Sequence, residues 1–314
     1  MRIGKTFLAA SAALAVSLGV AGCGSDSGGS GSASQDLEGV SLTVGSKDFT
    51  ENILLGKMFA KAVEANGAEV SDKTNLGGSA VNRSALLNKE IDMTPEYNGT
   101  GWTVYLKHDN PAKDPKVLFD KVAAEDLKKN GVKWFGTSPF NDTYGFAASP
   151  DMAEKNGGEF DLQGMADYLK ANPSAKVCME TEFPDRPDGL TLFEKATGYK
   201  IPASQIQILE TGLIYTQTGK NQCDFGEVFT TDGRIQALKL SLVKDPGVFI
   251  LYNVSFTMLN EEYEKHAEVY DKLADQILEP LDNEKMAALN AQVDVEGTPA
   301  DKVAEDYLKE QGII

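Results

Sequence analysis

Between residues 40 and 97 short apolar runs rich in β-branched residues alternate with segments of helical spacing, and this alternation restricts the fold more than any other feature. "VSLTVGS" (40–46) reads as a buried strand. "ENILLGKMFAKAVEANG" follows, with apolar residues at 54, 55, 58, 59, 62 and 63, the period of an amphipathic helix. Asp48 and Glu51 have capping-box spacing, and Gly67 suits a helix stop. A second strand is expected over 69–76, a second helix from about Ser79, and a third strand in "IDMTPEY" (91–97). Strands separated by helices pair in parallel, so this segment predicts an α/β unit.

The same grammar returns in the middle of the chain. "NDTYGFAAS", "AKVCME", "QIQILE" and "CDFGEVFTT" read as strands, and helices are expected after Asp161, in "DGLTLFEKATG" and in "TGLIYTQTGKNQ". "GVFILYNVSFTML" is extended, and the tail reads as helices: one in "NEEYEKHAEVYDKLADQILEPL", one after Asp282 and one capped by Thr298. Two such units joined by an extended return predict two lobes, 38–142 with 249–314 and 143–248. Ligands of open parallel sheets bind at strand carboxyl ends. Lys47 follows "LTV"; Tyr97 and Thr100 follow "IDM", around Asn98–Gly99, read as a turn. These three residues are therefore candidates for a ligand-facing rim.

The first residues carry a different signal. Arg2 and Lys5 precede an apolar run from Phe7 to Val20, too short to span a membrane, and "VAGC" matches a bacterial lipobox. The expectation is a signal peptide over 1–22, an acylated Cys23, and a Gly/Ser tether through residue 37, placing the protein outside the cytoplasm on a lipid anchor. Removing Arg2 and Lys5 takes the formal net charge from −17 to −19. Such acidity argues against nucleic acid or anionic lipid as a partner.

Cys178 and Cys223 can pair in an oxidising compartment; two buried free thiols are the other reading. His108 and His266 are the only histidines and lie far apart, so neither a histidine metal site nor a Ser–His triad is expected, and no Walker or GxGxxG pattern implies a nucleotide cofactor. No cofactor, no metal and no enzymatic activity are expected, and the protein is expected to be a monomer.

"VGSKDFTEN", "NLGGSAVNRSALLNKEIDMTPEYNGTGW", "FNDTYGFA", "EFPDRPDG", "VFTTDGRI" and "LYNVSFTML" occur in the order found in glycine betaine/carnitine/choline-binding proteins, which this chain resembles from about Val40 to its end. The resemblance implies a two-lobed type II periplasmic-binding-protein fold with a cleft that closes on ligand, and an ABC permease as partner. It implies an aromatic cage for a quaternary ammonium group at Tyr97, Tyr144 and Tyr252, with Phe229 where the family usually has a fourth tyrosine. It implies carboxylate-holding groups at Lys47, Thr100 and Arg186, acids near the cage at Asp142 and Asp188, and Asn52 where some members have glutamine.

The chemistry agrees with that pattern. A trimethylammonium group has no N–H to donate, so ring faces rather than hydrogen bonds must select it, at about 0.5–2 kcal/mol per ring when desolvated. Cations at Lys47 and Arg186 would favour glycine betaine over choline. Two other readings compete: a binding protein of the same fold for another solute such as an amino acid, and an anchored hydrolase. The rings disfavour the first, and the second lacks an activated nucleophile.

Overall fold

The computed structural model describes residues 36–314. The expected signal peptide, Cys23 and nearly all of the tether lie outside the described residues. Ten strands appear in chain order: β1 Ser41–Gly45, β2 Glu69–Lys73, β3 Met93–Tyr97, β4 Val132–Phe135, β5 Tyr144–Ala148, β6 Val177–Met179, β7 Ile206–Ile208, β8 Phe225–Phe229, β9 Ser241–Leu242 and β10 Val254–Leu259. They form two five-stranded sheets, ordered β2-β1-β3-β10-β4 and β7-β6-β8-β5-β9.

The two sheets share one plan. In each, three strands pair in parallel: β2, β1 and β3 in the first, β7, β6 and β8 in the second. The fourth strand in each order is antiparallel to both of its neighbours, β10 in the first sheet and β5 in the second. Each of these is the first strand after the chain crosses from one sheet to the other. The sheets are thus mixed rather than wholly parallel. The two crossings, residues 136–143 and 243–253, are bonded to each other. Tyr252 N–H donates to Asn141 Oδ1 at 2.6 Å, Thr143 Oγ1 donates to the Ile250 carbonyl at 2.7 Å, and Asn253 Nδ2 donates to the Ser138 and Phe140 carbonyls.

The apolar stripe at 54, 55, 58, 59, 62 and 63 forms the buried face of helix Thr50–Ala65. Phe59 packs at 4.8 Å from Phe256 and 5.9 Å from Phe135, joining that helix to the first sheet. Burial of such a side chain contributes about 1.5–3 kcal/mol. The outermost strand β2 carries Glu69, Asp72 and Lys73, charges that discourage pairing with another chain. Cys178 and Cys223 form a disulfide, with their Cα atoms 5.8 Å apart, that ties β6 to the loop before β8.

Several local expectations need correction. The Asp48/Glu51 capping box does not form: Phe49 is the N-cap residue, and Glu51 turns inward to tertiary partners. Asn98–Thr100 is helical, not a turn, and continues into a wide turn over Gly101–Tyr105. Gly99 permits this, because a Cβ there would stand 2.5 Å from the Leu251 carbonyl oxygen. The long tail segment breaks into Asn260–Tyr263 and Ala267–Leu278. Residues 103–141, assigned no element from sequence, contain helix Pro115–Asn130 and β4.

Candidate functional site

The strand ends and the crossovers enclose a cavity of about 610 Å³ between the two sheets. Tyr97 reaches it from the end of β3, Tyr144 from the start of β5, Phe229 from the end of β8, and Tyr252 from the returning crossover. A fifth ring, Phe49, completes the wall. Successive ring centroids are close: Phe49–Phe229 at 4.9 Å, Phe229–Tyr144 at 5.2 Å, Tyr144–Tyr252 at 5.2 Å, Tyr252–Tyr97 at 6.2 Å and Tyr97–Phe49 at 5.9 Å. The five rings form a closed circuit. Phe49 is not among the residues expected from sequence although it lies inside "SKDFTEN"; its place just past the carboxyl end of β1 is the available signal.

Two of the tyrosine hydroxyls are anchored away from the cavity. Tyr97 donates to Glu51 Oε1 at 2.9 Å and Tyr252 to Asp188 Oδ2 at 2.6 Å. Burial holds all three tyrosine pKa values well above normal, so the hydroxyls stay neutral. The Tyr144 hydroxyl has no hydrogen bond to another described residue, so its ring is held by packing against Phe183, Phe229 and Tyr252.

Lys47 and Arg186 both line the cavity, and both are already paired. Lys47 Nζ is 2.5 Å from Glu96 Oε1 and 4.9 Å from the Tyr97 ring centre, leaving two of its three ammonium N–H groups for other acceptors. Arg186 has spent its five N–H donors. Nε and Nη2 hold the two oxygens of Asp188, Nη1 reaches Ser79 Oγ and Glu182 Oε2, and Nη2 also reaches Thr100 Oγ1. It is a strut from the second sheet's side to Ser79 and Thr100 on the first. Its guanidinium also lies 5.4 Å from the Tyr144 ring centre. Ser79 and Thr100 each accept from Arg186, so their own hydroxyl protons remain available at the cavity wall.

Not every expected residue reaches the cavity. Asn52 is fully buried behind it; its Oδ1 accepts Lys47 N–H at 2.7 Å and its Nδ2 reaches the Pro95 carbonyl, fixing the Lys47 backbone. Asp188 is buried behind Arg186 and also accepts from Thr103 Oγ1 at 2.6 Å; the arginine beside it holds its carboxyl below the ordinary range despite burial. Asp142 and Thr100 do line the wall. So do Asp48, Glu180, Glu182 and Glu210, giving five acids against two bases. Burial pushes Glu180 up to about 7, and burial with the neighbouring Glu180 charge pushes Glu227 up to about 8. Among the described residues no group of histidines, cysteines and acids is arranged to hold a metal ion.

A family profile described as the substrate binding domain of an ABC-type glycine betaine transport system matches residues 40–310. The chain belongs to that family. The Escherichia coli K12 glycine betaine-binding protein YehZ is 33% identical over 282 residues, covering 86% of this chain and 90% of the relative. A glycine-betaine-binding protein of Pseudomonas aeruginosa is likewise 33% identical, over 87% of this chain and 88% of its own length. A solved structure described as a glycine betaine/carnitine/choline ABC transporter superimposes with a TM-score of 0.69 at 25% identity, covering 87% of this chain and 99% of that one. As in other substrate-binding domains of this kind, the two α/β halves flank one cleft, and this domain is a transport component rather than an enzyme.

Proposed function

We propose that this substrate-binding domain captures a quaternary-ammonium osmoprotectant, glycine betaine foremost, and delivers it to an ABC permease from a lipid anchor at Cys23 outside the cytoplasm. The observation that carries the reading is the closed circuit of five rings around one cavity, with the Asp142 carboxyl at its edge. Ring faces attract a methylated cation that can donate no hydrogen bond, and a carboxylate nearby adds charge complementarity. With about 0.5–2 kcal/mol from each of several rings, the cage contributes several kcal/mol toward the roughly 8 kcal/mol of a micromolar site, before ordering costs.

The betaine carboxylate is assigned to Lys47 and to the Ser79 and Thr100 hydroxyls. Arg186 serves as the strut that aims those hydroxyls, since its own donors are committed. Each charge-assisted bond contributes about 1.5–3 kcal/mol, and choline has no carboxylate to receive them. In this reading residues 38–142 with 249–314 and residues 143–248 move as two bodies about the paired crossovers, closing the rings on the ligand. Calorimetric titration with glycine betaine, choline, carnitine, proline betaine and L-alanine tests the proposal. Glycine betaine should bind most tightly, and Lys47→Ala should bring the betaine-to-choline ratio toward one. Tighter binding of alanine than of any methylated ligand would refute it.

A further inference from the structure

Behind the Tyr97 ring lies a polar cluster that the cage itself does not require. Glu51, from the first turn of helix Thr50–Ala65, is 3% exposed; Asp142, from the outgoing crossover, is 3% exposed; Thr231, just past β8, is 1% exposed. The Thr231 hydroxyl lies 2.6 Å from Glu51 Oε2 and 2.5 Å from Asp142 Oδ1. A hydroxyl carries one proton and can donate to one carboxylate only. The second carboxyl oxygen then faces a lone pair of the same hydroxyl, and that contact is favourable only if the carboxyl brings a proton of its own. Two carboxyl groups this close and this buried do not both ionise.

Among the described residues, the nearby cations are already paired. Glu51 Oε1 accepts from Tyr97, and Oε2 also from Asn290 Nδ2 at 3.2 Å; Asp142 Oδ1 also accepts the Thr231 N–H at 3.2 Å. On the neighbouring wall Arg234 is held by Asp232 and by Asp294, 3.4 Å away. Across the Tyr97 ring Lys47 is held by Glu96. Asp142 lines the main cavity, whereas Glu51 sits behind Tyr97 and reaches the cavity only through its partners.

Resting on the quaternary-ammonium reading of the cavity, we propose that Glu51 and Asp142 act as one unit, bridged by Thr231, that keeps a single proton and presents a single negative charge to the ligand's ammonium group. Asp142 makes the contact, and Glu51 is a positioning residue acting through Asp142 and the Tyr97 hydroxyl. Burial raises the Glu51 pKa, and burial with the Glu51 charge holds that of Asp142 well above the usual carboxylate range, the direction that the shared hydroxyl also requires. Acidification adds a second proton and removes the charge. Glycine betaine and tetramethylammonium keep their positive charge throughout, so a loss of affinity in acid belongs to the protein.

A second titrating pair, Glu180 and Glu227, adjoins the same cavity and must be separated from the first. The experiment titrates the full chain with tetramethylammonium and with glycine betaine from about pH 4.5 to about pH 8.5, comparing wild type, Glu51→Gln and Glu227→Gln. The wild-type dissociation constant should rise toward about tenfold per pH unit on the acid side. That limb is the second protonation, taken up when the other carboxyl is already neutral, so Glu51→Gln, which keeps the Asp142 carboxyl, should retain an acid limb. An acid limb that disappears in Glu51→Gln, which would put the charge on Glu51 rather than Asp142, or one that moves with Glu227→Gln instead, would overturn the proposal. Ligand-free thermal unfolding gives an independent readout. The native pair holds a proton that the unfolded chain releases above about pH 4.5, so wild type should lose stability relative to Glu51→Gln as pH rises toward 8. Should no quaternary ammonium bind at all, the functional reading fails, yet a rising stability difference still upholds the shared proton and a flat one removes it.

Discussion

Replacing Tyr144 by leucine separates the electrostatics of the ring wall from its bulk. The residue is 6% exposed and touches Phe183, Phe229 and Tyr252 at 5.0–5.2 Å between centroids. Alanine there would open a cavity costing about 3–5 kcal/mol of stability and would confound any binding result. Leucine keeps much of the volume and removes the quadrupole. A desolvated cation–ring contact contributes about 0.5–2 kcal/mol, so Tyr144→Leu should weaken glycine betaine binding roughly 2- to 30-fold. Tyr144→Phe keeps the face and loses only a hydroxyl without a described partner, so its effect should stay under about threefold. Titration calorimetry on the three proteins, with unfolding curves to confirm that each is native, makes the comparison. Equal losses in the leucine and phenylalanine variants would show that the hydroxyl, not the ring face, matters, and the cage argument would fail.

Arg186→Met removes a strut and leaves the Asp188 carboxylate buried without its cation, which should cost about 3–5 kcal/mol in denaturant unfolding; a loss below about 1 kcal/mol would mean that the five bonds are dispensable. Gly99→Ala puts a methyl group 2.5 Å from the Leu251 carbonyl, and chemical denaturation should show a loss of about 1–3 kcal/mol, whereas a neutral result would mean that the crossover yields freely. Glu227 has its pKa raised to about 8, so the folded state holds a proton that the unfolded chain gives up near 4.5. That contribution is full below about pH 4.5 and lost as pH rises through about 8, so Glu227→Gln should raise the melting temperature relative to wild type more at pH 8.5 than at pH 5.

The α/β character was legible because its signals are local. The stripe from Leu54 to Val63 predicted a buried helix face, and each of its six positions is buried. The capping box was equally clear as spacing and did not form, because Glu51 finds Tyr97, Thr231 and Asn290, partners 46, 180 and 239 residues away. Helix Pro115–Asn130 has a weak sequence signature because it buries only Leu118, Val122 and Asp126, a narrow stripe whose third member is an acid that accepts from Arg83 and Trp134. Its Asp114 cap and its Gly131 stop in the left-handed region were the readable signals. In the site, the tyrosines stand out in sequence as aromatic residues in long motifs. The commitment of Arg186 to Asp188, Glu182, Ser79 and Thr100 does not, since it depends on five acceptors brought together from both halves of the chain.

The proposed cage selects a positive charge between its rings, not merely a trimethylated shape. Glycine betaine and 3,3-dimethylbutanoate share a carboxylate and nearly the same outline, and differ in replacing a cationic nitrogen by carbon. Competitive titration of the two against the wild-type protein measures the charge term directly. 3,3-Dimethylbutanoate should bind at least about 100-fold more weakly, the loss of about 2.7 kcal/mol expected when two or more cation–ring contacts are removed. Comparable affinities for the two ligands would contradict selection by charge.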